Sequence, residues 1–471
     1  MITLIAKKEL KEILRDGRFR ITAAIVFALL VASVFVSKSY YESINAQHEA
    51  ARKNTRTMWE SQGKKNPHSA AHYGTYAFKP KYPLALIDNG VDKYAGVSIY
   101  LEAHVRNQAQ HMAAQDQTAL ARFGDLTPDF ILLFIIPLFI ILNGFHAFTR
   151  ERESGTIKLL SSQGVPGWKL ATGKWLGLFI PVLVLLMPVY LLTAIFLSNL
   201  DDFGVFSLAA LSGLFLIYLV YYAVFANLTL LVSSLFRKSS LAFVALLALW
   251  MVACLGVPKL STNLAQKLHA YPTQLEFEEQ VAQAKSKGLN GHEPWGEAAK
   301  KLEKETLQKY GVDSVSQLPF NWDGFLMQQG EEHDAQIYFD HYELLKKTNT
   351  LQSVVYRYTS VLSPFLPARF LSMALSHTDY NSHWAFADAA EKYRLMLVGK
   401  MNGDMTDHSK TGDWDYQADE SLWATVPDFE FTPPSYSSIL IDNKGNIGLL
   451  ALWLLGTFAL MIRQVKKINV I

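Results

Sequence analysis

Histidine is the residue type best able to do chemistry in this sequence, with 13 in 471 residues. His68 and His72 stand four apart, so a helix turns both imidazoles to one face, an arrangement that suits a metal ion. A metal centre needs three or four converging ligands, and spacing alone supplies this pair. The sequence therefore assigns no metal site and leaves His68 and His72 as its candidates. The single cysteine, Cys254, excludes an internal disulfide and a cysteine-based zinc site. Ser376, His377 and Asp379 stand together, yet the members of a hydrolytic triad converge from separate segments. Neither Gly-x-Ser-x-Gly nor His-Glu-x-x-His occurs. A phosphate loop needs Gly-x4-Gly-Lys-Ser/Thr, in which backbone N–H groups cradle phosphates and the hydroxyl holds Mg2+. The candidate pair, Gly173-Lys174, has Trp168 where the first glycine belongs and Trp175 where the hydroxyl belongs. The chain thus reads as no enzyme, with no cofactor bound by itself.

The elements that must position these residues are mostly apolar. Half the residues are hydrophobic and 18% are charged, against about 25% in an ordinary soluble domain. Net charge is +2, from 44 basic and 42 acidic residues, so no strong field draws the chain to nucleic acid. A charge at the bilayer centre costs about 3 kcal/mol, and six runs avoid it: 21–37, 130–149, 175–200, 203–236, 239–258 and 445–462. A helix needs about 20 residues to cross the hydrocarbon, and each run is read as a membrane span. The fourth run is too long for one straight crossing, so part of it is expected as a re-entrant or interfacial approach. The fold class is an all-α membrane protein with six transmembrane helices, an N-terminal amphipathic helix and two mainly helical extracytoplasmic insertions.

Lys and Arg near the span ends set orientation. Six precede the first span, five lie between the second and third, Arg237 and Lys238 lie between the fourth and fifth, and Arg463, Lys466 and Lys467 follow the sixth. The loop between the third and fourth spans carries Asp201 and Asp202 instead. All basic loops fall on one side, which places both termini in the cytoplasm. Residues 1–20 form a cytoplasmic amphipathic helix and flank, 150–174 a cytoplasmic loop, and 463–471 a cytoplasmic tail. Residues 38–129 and 259–444 are two large insertions on the other side. The chain's one cysteine, Cys254, lies outside both, so each must build a core or pack on a partner.

Ile2, Leu4, Ile5, Leu10, Ile13 and Leu14 fall near one helical face, with Lys7, Lys8, Glu9, Lys11 and Glu12 on the other. That is an interfacial helix lying along the membrane. The loop after the second span reads Thr149-Arg-Glu-Arg-Glu-Ser-Gly-Thr-Ile-Lys-Leu-Leu-Ser-Ser162. Ser154 is placed to cap a short helix that Gly164, Pro166 and Gly167 stop. The amphipathic helix, the second span ending in Glu151-Arg-Glu-Ser-Gly-Thr156, Leu159-Leu160-Ser-Ser and Gly173-Lys174 together resemble an ABC-2 type ABC transporter permease of the bacterial subset with two large periplasmic insertions. Ala71-His72-Tyr73-Gly74, Asp88-Asn89-Gly90, Leu101-Glu102-Ala103-His104, Leu362-Ser363-Pro364-Phe365 and Ser376-His377-Thr378-Asp379 match that subset.

The resemblance implies a permease subunit in the bacterial inner membrane, exporting a substrate. It implies a cytoplasmic ABC ATPase dimer that carries ATP and Mg, and a second permease, itself or a homologue. Glu151, Glu153, Gly155, Thr156, Leu159 and Leu160, with Arg237 and Lys238, then form the ATPase-coupling surface. Asn143, His146, Thr193 and Asn227 are polar within spans and either line a pathway or bond helix to helix. The alternative function is mechanical: cytoplasmic ATP hydrolysis drives a periplasmic protein without moving cargo. In the second insertion, helices are expected from Thr273, whose capping box includes Glu276, and over 294–310, 323–347, 351–361 and 383–398. Residues 401–434 read as loop, as does the middle of the first insertion, 66–96.

Overall fold

An apolar run in lipid has no water to satisfy its backbone, so it closes its hydrogen bonds within a helix. The computed structural model describes residues 1–111, 126–200 and 207–468. Helix α1 (Ile2–Arg15) ends at Asp16, whose side chain accepts from the Arg18 amide and starts α2 (Gly17–Glu60). At 1.5 Å per residue, the 44 residues of α2 reach about 66 Å. That is twice the hydrocarbon thickness, so α2 continues well beyond the membrane. The second span comprises a turn at Pro128–Phe130, a π-turn at Ile131–Ile135 and α4 (Ile136–Gly144), after the short α3 (Pro67–Tyr73) in the first insertion. Two short helices follow, α5 (Thr149–Glu153) and α6 (Thr156–Ser162). The third and fourth spans are α7 (Gly167–Ser198) and α8 (Leu208–Leu235). The fifth joins α9 (Ser239–Met251) through a π-turn at Val252–Gly256 to α10 (Val257–Leu268).

The second insertion contributes α11 (Gln274–Lys285), α12 (Glu297–Tyr310), α13 (Trp322–Thr359), α14 (Phe365–Leu375) and α15 (Tyr380–His408). The sixth span is α16 (Lys444–Ile468). Among the described residues, six helices are thus long and apolar enough to cross a membrane. Leucines, isoleucines and valines such as Ile25, Val184, Leu216, Val244 and Leu455 are exposed on their outer faces, where lipid would cover them. Gly167 lies against the backbone of Val465 and Lys466, so the start of α7 and the end of the chain share one end of the bundle.

Several expectations change. The described part of the fourth run is one unbroken 28-residue helix, with no re-entrant turn; residues 203–206, Asp201, Asp202 and the tail end 469–471 lie outside the described residues. The stretches 323–347 and 351–361 form one 38-residue helix, α13, because the intervening Lys347-Thr-Asn-Thr-Leu351 contains neither Gly nor Pro to stop it. Residues 401–408, read as loop, are the last two turns of α15. The loop-rich middle of the first insertion holds α3 and a small antiparallel sheet, β1 (Thr75–Phe78), β2 (Ser98–Glu102) and β3 (Val105–Arg106). Thr75 pairs with Leu101 and Phe78 with Ser98. The four- and five-residue strands are too short for an alternating pattern to stand out. The Thr273–Glu276 capping box forms as read.

The insertions answer the need for a core by packing on each other. Trp59 at the end of α2, Ala70 and Ala71 of α3, Leu397, Val398 and Met401 of α15, and Trp423 share one buried cluster. Trp59 Nε1 donates to the Trp423 carbonyl at 3.0 Å, and Trp423 Nε1 to the Gly63 carbonyl at 3.0 Å. Near the spans, Arg369 of α14 bonds Asp88 at 2.9 Å and Asp129 at 2.7 Å, and Ser372 donates to Asp88 at 2.5 Å. Tyr218 of α8 reaches Ser372 at 2.7 Å. A π-turn leaves a carbonyl without its helical donor; Tyr221 and Tyr222 donate to the carbonyls of Leu133 and Leu132 at 2.9 Å, and Ser363 to that of Ala253 at 2.5 Å. Polar side chains thereby lock the irregular ends of two spans to α8 and the second insertion.

Beside this clasp, His377 is buried between the rings of Tyr82 and Tyr436. Burial first, and Lys79 second, push its imidazole down to about 4, outweighing Asp92. Burial and Lys79 do the same to His383, also to about 4. Both remain protonatable at their ordinary value near 6.5 when unfolded. The unfolded chain therefore binds more protons between pH 6.5 and 4, and stability falls as pH falls through that window. The melting temperature of the purified chain should drop across it, and His377→Phe with His383→Gln should flatten the drop. Equal slopes in wild type and variant would contradict the burial of these rings.

Candidate functional site

Helix α1 lies against the first turns of α7. Their approach is set by Gly173 and Gly177, one turn apart. A Cβ on Gly173 would sit 2.6 Å from Ile5 Cβ, and one on Gly177 would sit 2.4 Å from Glu9 Cβ. Between these glycines stands Lys174, fully buried. A buried ammonium needs carboxylates, and Lys174 Nζ finds Glu9 Oε1 and Glu151 Oε1, each at 2.8 Å. Lys8 Nζ adds a contact to Glu151 at 3.1 Å. Burial alone would raise the Glu9 carboxyl; Lys174 and Lys8 outweigh it and hold the carboxyl below its usual range. One ion cluster thus joins the N-terminal helix, the loop after the second span and the third span.

The same loop is stitched to the turn between the fourth and fifth spans. Glu153 accepts from the Ser239 amide at 2.8 Å and from its hydroxyl at 3.0 Å, so its carboxylate sits at the N-terminus of α9. Arg152 donates to the Phe236 carbonyl at 2.7 Å, just beyond the C-terminus of α8. Thr149 and Ser239 hydroxyls meet at 2.8 Å. Both charges complement the helix ends they meet. Past this stitching, Gly155 takes the left-handed conformation at φ +74° and turns the chain into α6. The Ser154 hydroxyl sits 2.8 Å from that of Thr156.

The sequence-predicted coupling residues therefore gather at one end of the bundle, with different surroundings. Gly155, Thr156, Leu159, Arg237 and Lys238 are exposed, and Leu160 is half-buried. Leu159 is 63% exposed, an apolar tip on a polar end. Glu153 is exposed but engaged by Ser239. Glu151 is only 7% exposed and is a strut inside the molecule. A cavity of about 500 Å3 opens beside it, lined by Glu9, Asn143, His146, Glu151 and Lys174 among others.

The four candidate pathway residues do not share a space. Asn143 and His146 face that cavity. Thr193 lines a separate apolar pocket of about 50 Å3. Asn227 is buried and donates to Thr457 Oγ1 at 3.1 Å, bonding α8 to α16. Of these four residues, Asn227 takes the helix-bonding role.

In the insertions, His68 and His72 do share one face of α3, with their Nε2 atoms 3.2 Å apart. The structure adds His104, from the β2–β3 turn, and His292, between α11 and α12, so that four histidines converge. Sequence reading missed Lys8 and Lys174 as partners of Glu151, and Glu9 as the second acid on both lysines. The signal was available, since a lysine at the head of an apolar span needs a carboxylate. For His104 and His292, 188 residues apart, no local signal exists.

Lys174→Met leaves Glu9 and Glu151 without their buried cation, with only the half-exposed Lys8 beside them. Removing one partner of a buried ion pair costs about 3–5 kcal/mol. Thermal unfolding in detergent should shift down strongly, and trypsin should reach the α1 lysines sooner. Adding Glu9→Gln and Glu151→Gln to Lys174→Met should restore much of the loss. An unaltered melting temperature in Lys174→Met would contradict the cluster.

Residues 3–463 match the protein family described as ABC-2 family transporter protein. No curated protein matches the chain at a significant level. With nearly its whole length inside that family and six helices fit to cross a membrane, the chain belongs to the ABC-2 transporter family as a multi-pass membrane protein.

Proposed function

We propose that the chain is the permease subunit of an ATP-driven ABC-2 exporter in a bacterial inner membrane. Two such subunits, identical or homologous, pair across a pathway. The chain termini and α5–α6 face the cytoplasm, and the insertions face the periplasm. A separate ABC ATPase dimer, which carries ATP and Mg, docks on the exposed tip of Gly155, Thr156 and Leu159 with Arg237 and Lys238 beside it. Glu151 and Glu153 act behind that surface by holding it rigid. The observation that carries this reading is the stitching: α6 follows α5 across the Gly155 turn, and α5 has direct polar connections to α1, α7, α8 and α9, through which a push on α6 would pass. Export is the direction expected of this family.

A second reading has its own support. Helices α2 and α13, about 66 and 57 Å long, enter a body that both insertions build together. Such levers suit a machine that moves a periplasmic protein and translocates nothing.

Affinity purification in mild detergent, with mass spectrometry of the co-purifying proteins, tests the reading. A P-loop ATPase should accompany the wild-type chain. Leu159→Asp should lower its recovery at least tenfold with membrane insertion unchanged. A chain that purifies alone in several detergents, or full ATPase recovery with Leu159→Asp, would contradict the docking surface. In liposomes, ATPase activity stimulated by cargo supports export; activity dependent on a periplasmic protein, with no cargo moved, supports the mechanical reading.

A further inference from the structure

The four histidines of the insertions are arranged in three dimensions as no pair of hydrogen-bonded imidazoles requires. One ring nitrogen from each lies within 4.8 Å of the corresponding nitrogen of the other three. All six ring-to-ring separations fall between 4.7 and 5.9 Å. Four imidazoles around one ion at roughly 2.0–2.1 Å put adjacent nitrogens roughly 3.3 Å apart and ring centres roughly 5 Å apart. The observed Nε2–Nε2 contacts are 3.2 Å for His68–His72 and 2.9 Å for His104–His292. We propose that His68, His72, His104 and His292 bind one divalent transition-metal ion of borderline softness, with Zn2+ as its representative, as an all-imidazole site between the two insertions.

The surrounding contacts fix which nitrogens face inward. A ligating histidine uses one nitrogen on the metal and donates the other N–H to a carboxylate or amide oxygen. His104 Nδ1 lies 3.1 Å from Glu331 Oε2, a carboxylate that only accepts. Its Nε2 therefore presents a lone pair to the cluster. Glu331 is held in turn by Arg394, itself paired with Glu391 at 2.8 Å. His68 Nδ1 lies 2.9 Å from Asn402 Oδ1, whose amide nitrogen donates to Gln328 at 3.2 Å. Gln328 donates onward to Glu332 at 2.9 Å, which sets its own orientation and that of Asn402. His68 therefore also points a lone pair inward.

Two lone pairs aimed into one space, with His72 and His292 closing it, make a donor set for a cation. Imidazoles without thiolates favour Zn2+ and its neighbours over Mg2+ or Ca2+. The ligands come from α3, the β2–β3 turn and the segment before α12, with α13 and α15 behind them. His104 adopts φ +65°, uncommon for a residue with a side chain, to reach the centre. The ion would thus join the first insertion to the second, beside the core built on Trp59 and Trp423.

The full chain is purified through a tag without histidine, stripped with EDTA, loaded with Zn2+ and desalted. Wild type should retain one Zn2+ per chain. His104→Ala and His292→Ala should each retain less than a tenth of that, and Glu331→Gln should bind 10- to 100-fold more weakly. His333→Ala, outside the cluster, should retain the full amount. X-ray absorption of the loaded wild type should show only nitrogen neighbours at roughly 2.0 Å, a readout that needs no variant to fold. No retained Zn2+ in wild type, retention unaffected by the substitutions, or a shell containing sulfur or carboxylate oxygen would each overturn the assignment.

Discussion

One ammonium group, Lys174 Nζ, stands where three separate parts of the chain must meet. It is buried, so it requires carboxylates; Glu9 arrives on the N-terminal helix and Glu151 on the loop after the second span. Lys8, at the half-exposed edge of the cluster, adds a second and longer contact to each acid. The glycines on either side of Lys174 let α1 come close enough for Glu9 to reach. The exposed tip of α6 owes its place to this arrangement and to the contacts of Arg152 and Glu153 with the ends of α8 and α9. Removing side chains from the tip leaves the frame standing, whereas removing the cation undoes the frame.

The far end of the bundle repeats the principle with other groups. Asp88 and Asp129 converge on Arg369, and Ser372 links that cluster to Tyr218. Around it, tyrosine and serine hydroxyls take the carbonyls that two π-turns release. Irregular backbone at a membrane boundary is tolerable only when protein groups satisfy it. The insertions are therefore fastened to the spans by polar contacts, and to each other by an apolar core. In the proposed mechanism this lets the bundle and the external body move as connected levers.

Much of the fold was legible because the physics is local. Absence of charge marks the six helices, and Thr273 with Glu276 marks a helix start. Gly155 and the stop at Gly164-Val-Pro-Gly167 bracket α6. The small sheet was not legible, since its strands are too short to alternate. The stretches 323–347 and 351–361 read as two helices but form one, since no Gly or Pro stands between them. At the coupling end, residue types identified the loop but not the division between buried struts and exposed tip. That division depends on where α1 lands. For the histidines, the pair on α3 was legible and its two partners were not, because tertiary packing brings them from 32 and 220 positions beyond His72.

The central claim is that the tip of α6 meets a cytoplasmic ATPase. Site-specific cross-linking tests it most directly. In a Cys254→Ala background, Leu159→Cys places a thiol on the exposed tip and Trp295→Cys places one on the exposed surface of the second insertion. Intact cells are treated with a membrane-permeant thiol-to-amine cross-linker, and the adducts are identified by mass spectrometry. The account predicts a P-loop ATPase joined at position 159 and absent at position 295. No ATPase adduct at 159, or the same ATPase at both positions, would contradict it.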